Sequence, residues 1–117
     1  MCLARIDKVT KRGRGYGYKA FNITIGRLYP VAASLPAGVS FPEEQWFTDP
    51  KQGMVDGLNY PAGFNIHTNK KHVLGWNGDT NRKVYYKEVV ASGLFSVIVP
   101  EHVIIARQIY ITKEEIK

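Results

Sequence analysis

Apolar and polar residues alternate along much of the chain with the two-residue period of a β-strand, and helical spacing is scarce. Tyr16 to Ile25, YGYKAFNITI, is rich in aromatic and β-branched residues and predicts a strand. Its odd positions Phe21, Ile23 and Ile25 share one apolar face, which Lys19 begins. Arg27 to Ala33 continues the sheet after a bend at Gly26. Residues 34–60 break the pattern. Pro36, Gly38, Pro42, Pro50, Gly53 and Gly57 interrupt scattered apolar positions, which predicts a long irregular segment. Trp46, Phe47, Met54 and Tyr60 within it need something to pack against. Ala62 to His67 alternates Phe64 and Ile66 with Asn65 and His67, a short half-buried strand. Thr68 or Asn69 then caps a short helix over Lys70–Trp76, and Asn77-Gly78-Asp79 ends it. Val84 to Ser92 predicts another strand. Gly93 and Pro100 punctuate a looser apolar stretch, and Val103 to Ile111, VIIARQIYI, gives the clearest strand of all. The pattern predicts an α+β class: a mainly antiparallel β-sheet with one or two short helices and a long irregular middle segment.

With 117 residues the chain fits one domain, residues 1–117, and can bury a core without disulfides or a structural metal. No apolar run approaches the roughly 20 residues of a membrane span. The N-terminal residues MCLARIDKVTKRGRG carry charges where a signal peptide needs an apolar stretch. The single cysteine, Cys2, excludes an internal disulfide framework and a Cys-based zinc site. These features predict a cytoplasmic protein with no membrane partner. The net charge of +6 adds an anionic partner to that picture. Residues 1–30 alone carry +6, from Arg5, Lys8, Lys11, Arg12, Arg14, Lys19 and Arg27 against Asp7. Residues 31–60 carry −3 and residues 61–117 carry +3. One localised cluster suits a compact phosphate ligand better than an extended nucleic-acid track, so nucleic acid is not the expected partner. A solvated, lysine-rich edge is the plainer account of the same residues.

The segment Arg12-Gly13-Arg14-Gly15-Tyr16-Gly17-Tyr18 combines cations, glycines and aromatics. Glycine lets backbone N–H groups turn toward an anion, arginine adds a planar fork for phosphate, and tyrosine offers a stacking face for a base. A strand follows it rather than a helix, so it is neither a dinucleotide-binding fingerprint nor a P-loop. Its plain alternative is a flexible turn with solvating arginines. Arg107 shares a strand face with Val103, Ile105, Ile109 and Ile111, where a buried guanidinium needs an anion. Glu88 is the protein partner that alternation offers; a ligand phosphate or a subunit contact is the other. His67, His72 and His102 lack the spacing of a metal site, and no nucleophile–base constellation stands out, so neither a metal nor a catalytic residue is assigned. Cys2 would become a terminal nucleophile only after loss of Met1, and an inert cysteine is the simpler reading. Seven tyrosines exceed what one small core needs, which points to an interface or a homo-oligomer with ligand pockets at its seams.

The order of GYKAF, an irregular middle, YPAGFNIH entering a helix that ends in Trp76, VYYKEVVASG and VIIARQIYI resembles short proteins of phages and prophages of Gram-positive bacteria. The resemblance spans nearly the whole chain. Among such proteins it is similar to the first family of anti-Thoeris proteins. That resemblance implies a phage counter-defence protein in the host bacterial cytoplasm. It implies sequestering of cyclic ADP-ribose signals made by bacterial TIR enzymes, without cleaving them and without a cofactor. It also implies assembly as a homo-oligomer, with separate pockets for cyclic oligonucleotides in some members. A cyclic ADP-ribose presents a pyrophosphate, an adenine and two riboses. The residue chemistry that fits it is Arg12, Arg14, Lys19 and Arg107 for phosphate. Tyr16, Tyr18 and Phe64 fit the base, and Asn65 and His67 fit the riboses. The competing expectations are an inhibitor that binds a host defence protein directly, of the anti-CRISPR type, and a small nucleotide-acting enzyme.

Overall fold

A computed structural model of the chain describes residues 13–30, 39–50, 63–74, 78–94 and 102–116, and the backbone alone of 5–9. It is mainly antiparallel β-sheet with almost no helix. Among the described residues seven strands follow one another along the chain: β1 (Arg5–Val9), β2 (Arg14–Thr24), β3 (Arg27–Pro30), β4 (Trp46–Thr48), β5 (Phe64–His67), β6 (Thr80–Leu94) and β7 (His102–Glu115). Among the described residues, helical structure amounts to the five-residue α1, Lys70–Leu74, where the sequence predicts a helix to Trp76; residues 75–77 lie outside the described residues. The Asn69 carboxamide oxygen accepts from Lys71 N at 2.9 Å and so caps that turn. The helical share expected of an α+β class is therefore nearly absent.

Two long strands organise everything else. β6 and β7 pair along most of their length, because both carry β-branched residues at alternate positions that bury one face. β6 offers its other edge to β2 over Thr80–Lys87 and to β1 over Ala91–Leu94. β7 offers its other edge to β5 over Val103–Ala106 and to β4 over Gln108–Tyr110. A pairing between Tyr18 and His67 joins β5 back to β2, so β2, β6, β7 and β5 close into a ring. Inside it Phe21, Phe64, Ile66, Val84, Ile109 and Ile111 are buried, with Leu28 and Phe41 in the same cluster. The radius of gyration, 13.1 Å, matches the roughly 13 Å of a compact domain this size. Among the described residues no helix is long and apolar enough to cross a membrane.

Several expectations change. The predicted face Phe21–Ile23–Ile25 is core only at Phe21; Ile23 and Ile25 are exposed, because β2 runs past the body into a hairpin with β3. Its turn, Ile25-Gly26, has φ of 52° and 72°. β5 is buried at all four positions rather than half-buried, since it sits between β7 and β2. The predicted irregular segment contains β4, and its described part is fastened to the sheet. Phe41 N donates to Leu28 O, Glu44 N to Ile111 O and Asp49 N to Arg107 O, at 2.8, 2.8 and 2.9 Å. Arg82 Nη1 also donates to Glu43 Oε2 at 2.8 Å. Phe47 stacks on Phe64, which answers the packing expected of it. Met54 and Tyr60 lie outside the described residues.

Candidate functional site

Strand alternation divides the Arg/Gly/Tyr segment into two faces. Even positions Arg14, Tyr16 and Tyr18 look outward, and Gly15 and Gly17 look toward the core. The glycines therefore do not form a turn around an anion; they permit close packing within a strand. A Cβ on Gly15 would lie 2.7 Å from the Tyr86 hydroxyl. One on Gly17 would lie 2.5 Å from Ile66 Cγ2 and 2.7 Å from the His67 carbonyl oxygen. Arg12 lies outside the described residues.

On the outward face the register lines up aromatic rings from four strands. Tyr16 on β2 opposes Tyr85 on β6, Tyr85 opposes Tyr110 on β7, and Tyr110 opposes Trp46 on β4. Trp46 and Tyr110 meet edge to face with centroids 5.7 Å apart, and Tyr85 and Tyr110 at 6.3 Å. Tyr18 adds its ring beside Tyr16 at 6.4 Å. The next row holds Arg14 opposite Lys87 and Lys87 opposite Gln108; on the other side Tyr18 opposes Lys83. Lys87 Nζ lies 4.3 Å from the centre of the Trp46 ring, and Lys83 Nζ lies 4.8 and 5.3 Å from those of Tyr16 and Tyr85. A hydrogen bond with Tyr85 is the main reason the Lys83 ammonium holds its proton more tightly than usual. A cleft of about 260 Å³ opens among Arg14, Tyr16, Trp46, Tyr85 and Lys87, with Gly15 and Tyr86 completing its lining. Burial raises the pKa of the Tyr86 phenol, which stays neutral.

A second polar group lies on the inward side. Lys19 Nζ donates to the Asn65 carbonyl oxygen at 2.8 Å and so ties β2 to β5. Desolvation lowers its pKa from 10.5 to about 8, and the Asp49 carboxylate partly offsets the fall. Arg107 Nη2 donates to the Asp49 carbonyl oxygen at 2.7 Å, and Nη1 stands 3.8 Å from Asp49 Oδ2. The predicted Arg107–Glu88 pair does not form. Glu88 has a φ of 59°, and its carboxylate accepts from Gln108 Nε2 at 2.7 Å.

The residues chosen from sequence thus separate. Arg14 and Tyr16 line the outer cleft, with Tyr18 beside it. Lys19, Asn65 and Arg107 gather with Asp49; His67 is buried on β5, and Phe64 is core. Sequence reasoning missed Trp46, Tyr85 and Lys87. The available signal was the alternation Tyr85, Lys87 against Val84, Tyr86 within VYYKEVV. The outward set can stack a planar ring and neutralise an anion. Comparison of the chain with known protein families, with curated proteins and with solved structures finds no match.

Proposed function

We propose that the protein is a phage counter-defence protein that sequesters a small cyclic nucleotide signal, of the cyclic ADP-ribose type, in the host bacterial cytoplasm without degrading it. The observation that carries this reading is the outer cleft, where three exposed rings stand beside Arg14 and Lys87. Adenine stacks between Tyr16, Tyr85 and Trp46, and the pyrophosphate exchanges its hydration for the guanidinium and the ammonium. At about 260 Å³ the cleft is smaller than the roughly 300–1,000 Å³ that encloses a drug-sized ligand, so it covers the base and one phosphate and leaves the far ribose outside. The resemblance of the sequence to anti-Thoeris proteins supports the choice of signal, and it adds self-association to the proposal.

The test is to incubate purified protein with the product of a TIR enzyme, remove the protein by filtration, and then heat it. The signal is expected to vanish from the filtrate and to return intact on denaturation. A signal left in the filtrate at excess protein overturns the reading, and a chemically altered signal replaces it with an enzyme. Native mass spectrometry of protein from TIR-expressing cells reads the retained ligand mass and the subunit count together.

A further inference from the structure

The aromatic row is longer than the cleft. Tyr110 continues it between Tyr85 and Trp46, and Lys83 flanks it on the side away from Arg14 and Lys87. Neither Tyr110 nor Lys83 lines the cleft. Three strand steps of about 4.8 Å make the row about 14 Å long. That exceeds the span of one base and leaves room for a second beside it. Three of the four rings are exposed, Tyr16 at 58%, Trp46 at 44% and Tyr85 at 41%, and Tyr110 between them is half-buried.

We propose that the outer face of β2, β6, β7 and β4 is a stacking platform for single-stranded nucleic acid. Its bases lie on Tyr16, Tyr85, Tyr110 and Trp46, and its phosphates meet Arg14, Lys83 and Lys87. Bases stack on aromatic rings irrespective of sequence, and cations on both sides of the row let the backbone cross it in either direction. The lysines that now cover the rings have flexible stems, so each ammonium swings from ring to phosphate as a base arrives. Glu88 and Glu114 border the face and confine the phosphates to the cationic strip between them. Charge also selects the occupant. A second copy laid face to face on this surface would bring Arg14, Lys83 and Lys87 against their own kind, whereas a polyanion complements them. Only Arg14 of these three comes from the basic first 30 residues, so the fold builds a wider basic strip than the linear charge distribution predicts. The inference goes beyond signal sequestering and does not rest on it, although both ligands would compete for the cleft.

The experiment is fluorescence anisotropy of labelled oligouridylate and oligothymidylate, each about 12 nucleotides long, with the full chain. Binding is expected to weaken as salt rises, with a log–log slope of about −2 for three phosphates at about 0.7 each. Tyr110→Ala is expected to weaken it by about 5- to 150-fold, the range for loss of one stacking ring, while Tyr110→Phe keeps it. Lys83→Ala flattens the salt slope by about 0.7. Binding of either oligonucleotide that Tyr85→Ala or Tyr110→Ala weakens upholds the proposal, and the preferred one identifies RNA or DNA as the source. Absence of binding up to about 100 µM protein overturns it. So does unchanged binding by folded Tyr85→Ala and Tyr110→Ala, or a sedimenting dimer that Tyr110→Ala dissociates. Signal depletion without oligonucleotide binding overturns this inference alone; the reverse result overturns the signal proposal alone.

Discussion

Gly15 and Gly17 are two residues apart on the same strand, yet replacing them should cost differently. A methyl on Gly15 meets the far end of the Tyr86 ring, which can swing away. A methyl on Gly17 meets backbone, the His67 carbonyl, at the point where β2 joins β5. Gly17→Ala is expected to lose about 1–3 kcal/mol in urea unfolding, as overpacking does, and Gly15→Ala clearly less. The arginines divide in the same way. Arg107→Gln removes contacts with Asp49 and should cost about 1–3 kcal/mol of stability while signal depletion persists. Arg14→Gln, at an exposed position in the cleft, should leave stability unchanged and weaken depletion. Lys19 makes stability depend on pH. Its pKa is about 8 in the folded protein against an ordinary 10.5, so between these values the unfolded chain binds more protons and stability rises with pH. Unfolding midpoints of wild type and Lys19→Met at pH 7 and pH 10 check this. The wild type should gain on the variant at the higher pH, and a constant difference would refute desolvation as the cause.

At the level of elements, the hairpin of β2 and β3 carries a correctable flaw. Its two-residue turn puts the β-branched, 94% exposed Ile25 at a φ of 52°, where Asn-Gly is the favoured pair. Ile25→Asn is therefore expected to stabilise the protein by about 1 kcal/mol in thermal or urea unfolding. The same turn explains why the apolar face of Phe21, Ile23 and Ile25 is buried only at Phe21. Alternation says which residues share a face, but not where a strand leaves the body of the protein. The strands themselves were legible, because Val103–Ile111 and Tyr16–Ile25 carry a clear two-residue period. Contacts between strands were not. Arg107 and Glu88 satisfy simple alternation, but the register shifts between Val89 and Ala91 and Glu88 takes a left-handed φ, so its carboxylate turns to Gln108.

Across the whole molecule, the candidate site was the least legible feature, since it draws on four strands between residues 14 and 110. No window along the chain brings Trp46, Tyr85 and Tyr110 together; only register does. The ring of strands is also unevenly fastened. The described β2–β5 seam consists of the Tyr18–His67 pairing and the Lys19–Asn65 bond, against the long β6–β7 ladder. Amide hydrogen exchange should open that seam first and the β6–β7 ladder last. β2 contributes Arg14 and Tyr16 to the outer surface and Gly15 and Gly17 to the interior in strict alternation. A one-residue insertion or deletion there would send Arg14 and Tyr16 toward the core and bring the glycines to the surface. Descendants of this gene can therefore retune the surface by replacing residues, but changes in length within this strand are closed to them.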